Sequence, residues 1–157
     1  MPQDALLDQY DKKILMELEK DAKKPFSTIA SELDISHTMV GQRVTRLKAL
    51  NIIKGSTIIL DESKVGFDWA AFSGVVLQED SKTEDVIKQL KAIPEVLECY
   101  FVSGEYALLI RIVAKDREDM RKLLFEKIDT IPGVVKSESM IDLGCAFKRN
   151  VPLSSFE

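Results

Sequence analysis

Over the first fifty residues, apolar side chains recur with a helical period. Leu7, Tyr10, Ile14, Leu15 and Leu18 follow the i, i+3, i+7, i+8 spacing of one helix face. Asp8 and Asp11 stand near the start of that helix, where negative charge suits the helix dipole, and Lys20, Lys23 and Lys24 stand at or beyond its end. Pro25 interrupts the pattern. Ser27 is then placed to cap a short second helix, Thr28 to Leu33, that buries Ile29, Ala30 and Leu33. Asp34 and Ile35 make a tight turn, and Ser36 caps a third helix reaching about Leu50. After Asn51, the stretch Ile52 to Leu60 reads as a β-hairpin wing with Lys54 near its tip.

Past residue 60 the pattern changes. Strand candidates are Ala71–Leu77, Leu97–Val102, Ala107–Ala114 and Val135–Leu143, and amphipathic helices are predicted over Glu84–Ala92 and Asp116–Thr130. Ile93–Pro94–Glu95–Val96 recurs as Ile131–Pro132–Gly133–Val134, each time between a helix and a strand. The order β-α-β-β-α-β is that of a ferredoxin-like split βαβ unit, with two helices on one face of an antiparallel sheet. The fold class is therefore α+β, a winged helix-turn-helix followed by a ferredoxin-like unit: a helix-turn-helix domain over residues 1–53, a connecting strand or hinge over 54–67, and a ferredoxin-like effector-binding and oligomerisation domain over 68–157. The uncovered sheet face carries Phe72 and Val76 and needs a cover, for which a second copy of the chain is the simplest candidate.

The third helix carries the first candidate chemistry. Val40, Val44 and Leu47 fall on its inner side, which leaves Thr38, Gln42, Thr45 and Arg46 facing outward. The second member of a helix-turn-helix enters the major groove of DNA. Gln42 can pair with adenine and Arg46 with guanine through two-point contacts to base edges. Arg43 and Lys48 lie on the flanks, where phosphates run, and Ser36, His37 and Lys54 complete the DNA-facing set. The bland alternative is a three-helix bundle that makes only protein contacts.

Net charge first argues against DNA, since 22 Lys+Arg face 26 Asp+Glu, for −4. The distribution reverses that impression. Residues 1–60 carry +1 and residues 61–157 carry −5, and Ile35 to Leu60 holds Arg43, Arg46, Lys48 and Lys54 without a single acid. Such a basic island is an electrostatic footprint for a polyanion. No apolar stretch is long enough to span a membrane, and the N-terminus lacks the apolar run of an export signal, so a cytoplasmic, nucleoid-associated location is expected. Cys99 and Cys145 sit in apolar surroundings and read as buried, reduced thiols. His37, the only histidine, has no Cys or His nearby in sequence, so no metal site and no cofactor are expected. The turn Ser103–Gly104–Glu105–Tyr106 offers a positive-φ glycine whose neighbouring N–H groups suit a carboxylate, and Glu105 suits an ammonium group.

With these residues in place, the chain resembles the Lrp/AsnC, or feast/famine, regulators. The resemblance runs through Leu7–Asp8, Ile14–Leu15, Asp21–Ala22–Lys23, Ile29–Ala30, Ile35–Ser36, Val40, Arg43–Val44, Leu47 and Ile52–Ile53–Lys54–Gly55. It continues through Leu60–Asp61, Val65–Gly66, Val102 to Tyr106, Ile131 to Val134 and Val151–Pro152–Leu153. It implies a transcriptional regulator that binds double-stranded DNA, dimerises through a ligand-sensing domain, assembles further to an octamer, and responds to an amino acid. By the same resemblance the effector pocket comprises Ser103, Gly104, Glu105, Tyr106, Ser137 and Ser139. Two positions depart from the family pattern. Ala107 replaces an aspartate, which puts amino-acid binding in question, and Asn51 replaces the glycine after the recognition helix, a residue that also tolerates the left-handed conformation.

Two other function classes compete. A ligand-independent architectural DNA-binding protein is made credible by Ala107. Sirohaem decarboxylases resemble the same architecture but need histidine in the second domain, where this chain has none, so no catalytic residues and no enzyme activity are expected.

Overall fold

The computed structural model describes residues 7–79 and 82–153; the first six residues, where an export signal would begin, lie outside them. Among the described residues the chain divides into two compact units. One runs up to Ile58 and includes the tail from Phe147, and the other is Ile59–Ala146.

The helical unit has α1 at Gln9–Lys20, α2 at Phe26–Leu33 and α3 at His37–Ala49. Ile14, Ile29, Ala30, Val40 and Val44 form its core, with Leu18, Phe26, Leu33, Ile35 and Ile53 packed around them. Asp34 and Asn51 both adopt the left-handed conformation, at φ 54° and 56°, as the turn after α2 and the stop after α3 require. Lys24 sits between Glu17 and Glu32 at 2.5 Å from each, and with Lys20 it holds the Glu17 carboxyl down to about 2.

Two expectations fail in this unit. The second helix starts at Phe26 with Pro25 at its N-cap, not after Ser27. Proline arrives with φ −60°, and its carbonyl already accepts from the N–H groups of Thr28 and Ile29, so Ser27 is drawn into the first turn. The hairpin wing is absent: residues 54–60 form no strand. The N–H groups of Ile52 and Ile53 both donate to the carbonyl of Leu47 and Ile53 packs on the core, so finishing α3 consumes the first two residues of the would-be wing.

In the second unit, one 3-10 turn at Ser63–Val65 precedes β1 (Trp69–Leu77), α4 (Thr83–Lys91), β2 (Val96–Phe101) and β3 (Leu108–Ala114). Then come α5 (Arg117–Lys122), continued by a π-helical turn at Leu123–Ile128, and β4 (Val134–Ile141). The strands lie in the order β2-β3-β1-β4, all antiparallel. Alternation along the strands sends Ala71, Val75, Leu108, Ile110 and Ile112 into one core with Val86 and Leu90 of α4 and Met120 and Leu123 of the α5 segment. The π turn replaces the uninterrupted helix expected to Thr130. Leu123 and Ile128 are both buried yet five residues apart, a spacing that a wider turn keeps on one face. Both cysteines are exposed rather than buried: Cys99 lies on the edge strand β2 and Cys145 beyond the end of β4, where no further element among the described residues covers them. No helix among the described residues is long and apolar enough to cross a membrane.

Arg111 anchors the opposite face of the sheet. Its guanidinium makes a two-point contact with Glu62, at 2.7 and 2.8 Å, and reaches Asp142 at 3.6 Å. Arg111 holds the Glu62 carboxyl below its ordinary 4.5 against the opposing effect of burial. A carboxyl depressed in the folded state adds stability above its unfolded value, and that stability is lost as pH falls through the depressed value. Arg111→Met is therefore expected to flatten the decline in stability below about pH 4.5, measured by urea unfolding across pH. An unchanged acid limb counts against the pairing.

Candidate nucleic-acid interface and ligand loop

The outward face of α3 is built by its cap and its inner stripe. The Ser36 hydroxyl accepts from the Met39 N–H at 3.1 Å, and Val40, Val44 and Leu47 are buried beneath. That geometry leaves Thr38, Gln42, Thr45 and Arg46 exposed, with His37, Ser36 and Lys48 beside them. Thr45 spends its hydroxyl proton on the Gly41 carbonyl at 2.9 Å, and the His37 ring lies 6.3 Å from that of Phe26. Lys54 stands apart from this helix, exposed in the extended segment. No acid lies on α3.

Arg43 is placed differently from its neighbours. Its Nη1 donates to Asp8 Oδ2 at 2.5 Å and to Asp11 Oδ1 at 2.9 Å, and its guanidinium lies 5.4 Å from the centre of the Tyr10 ring. Arg46 Nη1 donates to the other Asp11 oxygen at 3.0 Å. The same two acids cap α1 reciprocally: the Asp11 N–H donates to Asp8 Oδ1, and the Asp8 N–H donates to Asp11 Oδ2. Asp11 is fully buried. Partial burial resists ionisation of Asp8, but the Arg43 guanidinium and the Asp11 N–H outweigh it and hold this carboxyl below its ordinary 3.8. Sequence reading placed both acids at the helix start for their effect on the dipole and missed their grip on the recognition helix. The D-x-x-D spacing marks the capping box, but only the packing of α1 against α3 shows that it holds arginines.

The candidate ligand residues fall on two sides of the sheet. Ser103, Gly104 and Glu105 are exposed in the β2–β3 loop, where Gly104 takes a φ of 112°. Tyr106 lays its ring across Gly74 of β1 on the face away from the helices, and its hydroxyl donates to Glu138 at 2.7 Å. Lys136 also pairs with Glu138. Ser137 and Ser139 point to the opposite, helix-covered face, where Ser137 donates to Asp129 at 2.6 Å and Ser139 meets the buried Ser73. One chain therefore does not bring all six residues together. Ala107 is half-buried against the core and offers its N–H to the Val75 carbonyl.

A Cβ at Gly74 falls 2.5 Å from the Tyr106 ring, too close for both to stay. Gly74→Ala is expected to displace that ring, release the Glu138 contact and cost about 1–3 kcal/mol of stability. Near-ultraviolet circular dichroism with thermal melting reads both effects; an unaltered tyrosine signal and melting temperature would show that the ring does not rest there.

Comparison with known proteins matches both units. The model of the AsnC-type helix-turn-helix domain matches residues 7–48, and that of the Lrp/AsnC ligand binding domain matches residues 70–150. The chain is 31% identical over 145 residues to the regulatory protein AsnC of Haemophilus influenzae, covering 92% of this chain and 97% of that one. It is 38% identical over 131 residues to the transcriptional regulator LrpA of Pyrococcus horikoshii, covering 83% and 92%. Among solved structures it resembles AsnC of E. coli, with TM-score 0.87 at 26% identity over 92% of this chain and 97% of that one. A Neisseria meningitidis regulator solved in complex with L-Met shares the fold, with TM-score 0.90 at 22% identity over 96% and 99%.

Proposed function

The chain belongs to the Lrp/AsnC family of DNA-binding transcriptional regulators, and from that premise we propose how its residues divide the work. It is a regulator and not an enzyme. The observation that carries the residue-level reading is the acid-free outer face of α3, on which Thr38, Gln42, Thr45 and Arg46 are exposed together. Gln42 and Arg46 read base edges, while Ser36, His37, Thr38, Thr45 and Lys48 meet the backbone and groove walls. Lys54 adds a phosphate contact from the extended segment.

A second copy of the chain covers the sheet face that carries Phe72, Tyr100, Tyr106 and Met140. Tyr100 and Met140 are half or more exposed there, more apolar surface than a lone sheet leaves in water. Dimerisation sets the distance between two recognition helices and with it the half-site spacing. Further assembly to an octamer brings the β2–β3 loop of one copy near the β4 serines of another and completes an effector pocket that one chain leaves divided. The ligand is an amino acid or a related small molecule, its carboxylate on the loop around Gly104 and its ammonium on Glu105, since Ala107 supplies no charge. Such a ligand regulates DNA binding only through unequal affinity for the competing assemblies. The same Ala107 supports a second reading, a ligand-independent DNA-organising protein. Either protein acts in the cytoplasm, on the nucleoid.

Arg46→Ala is expected to weaken binding to a duplex enriched by the wild-type protein from a random pool by about 1–3 kcal/mol, with relaxed preference at one position. Unchanged affinity and preference remove Arg46 from the reading set. A thermal-shift screen against the twenty amino acids separates the two readings of the sensing domain, because a bound ligand stabilises the native state by mass action. A selective rise identifies the effector, and Gly104→Asp is expected to abolish it while leaving the unliganded protein folded. No rise with any amino acid favours the ligand-independent reading.

A further inference from the structure

We propose that Asp8 is an affinity-limiting residue of the DNA interface: it competes with DNA phosphate for Arg43 and so limits affinity for DNA of any sequence. The proposal rests on the DNA-binding reading above and concerns a side chain on the cap of α1, outside the recognition helix. Arg43 lies on the flank of α3, where a guanidinium meets phosphate and carries no sequence information. In the structure it is already engaged. Asp8 and Asp11 take its Nη1, the Tyr10 ring lies against it, and its side chain is only 22% exposed.

A carboxylate and a phosphate oxygen are equivalent acceptors for a guanidinium. The carboxylate, however, belongs to the same folded unit and loses no translational freedom on pairing. Asp8 and Asp11 thus hold Arg43 back from the DNA backbone, while Arg46, half exposed, keeps its place on the outer face. Withdrawing one backbone contact weakens binding to every sequence alike. Specific and non-specific sites then lose affinity by the same factor, so their ratio stays set by the base-reading side chains while the absolute affinity for DNA falls.

Asp8 is the member of this set that can be tested without dismantling the helix. Its side chain is 52% exposed, whereas that of Asp11 is 1% exposed and also holds Arg46. Asparagine caps helices as well as aspartate does, so Asp8→Asn keeps the bond to the Asp11 N–H and removes the charge together with the oxygen that accepts from Arg43.

The experiment measures binding of the full chain to a random-sequence duplex by fluorescence anisotropy over a range of salt. Asp8→Asn is expected to bind this duplex more tightly, with the slope of log affinity against log salt steeper by up to about 0.9 for each recognition helix engaged, since Asp11 still accepts from Arg43 Nη1. A variant damaged in folding loses affinity, so a gain cannot come from damage. In an Arg43→Met background the gain is expected to vanish. If Arg43→Met does not fold, Asp21→Asn serves as the control, removing the same charge from the other end of α1 with no expected change in slope.

A gain that persists without Arg43, or one matched by Asp21→Asn, overturns the proposal in favour of charge acting at a distance. An unchanged slope or weaker binding in Asp8→Asn, with the wild type still binding, overturns the restraint alone. A wild-type chain without salt-dependent affinity for duplex overturns the DNA-binding reading, and the restraint with it.

Discussion

The helical unit is organised around the buried carboxylate of Asp11. Removing a charge from water is costly unless it is paired and hydrogen-bonded, and here the two oxygens accept from Arg43, Arg46 and the Asp8 N–H. Those partners lie at the start of α1 and along α3, so satisfying one carboxylate fixes the recognition helix against the helix that supports it. Apolar packing of Ile14, Ile29, Val40 and Val44 brings the helices together without the directionality of a hydrogen bond. The ion cluster adds that directionality, because a guanidinium bonded at 2.9 Å tolerates little sliding.

The sheet unit solves a different problem. Its helix-covered face is closed by a continuous core, whereas its other face mixes apolar and charged groups. Arg111 ties the residues before β1 to those after β4 through Glu62 and Asp142. Tyr106 lies over the side-chain-free Gly74 of β1 and ties the β2–β3 loop to the edge strand β4 through Glu138. The loop is thereby exposed at Ser103, Gly104 and Glu105 but fixed at its far end.

Much of this was legible in the chain itself. The period of 3.6 in the first fifty residues and of 2 in the strands located nearly every element, and the repeated Ile-Pro-x-Val marked the two returns to the sheet. Capping chemistry was legible at Ser36 and in the left-handed Asn51, because these depend on groups within a few residues. Local rules failed where two local demands competed. Ser27 lost the cap of α2 to the preformed proline two residues before it, and Ile52 and Ile53 completed α3 instead of starting a wing.

The sequence by itself determined which elements form, the α+β class and the polar, acid-free face of α3, because periodicity, capping and turn chemistry act within a few residues of one another. Only the tertiary structure decided what those elements do to each other's side chains. Arg43 and Asp8 are thirty-five residues apart in the chain and 2.5 Å apart in space, as no pattern along the sequence announces. Tyr106 meets Gly74, and Ser137 faces away from Tyr106, through strand register and the alternation of strand faces. Cys99 and Cys145 are exposed because an apolar neighbourhood in sequence buries a thiol only where another element arrives to cover it.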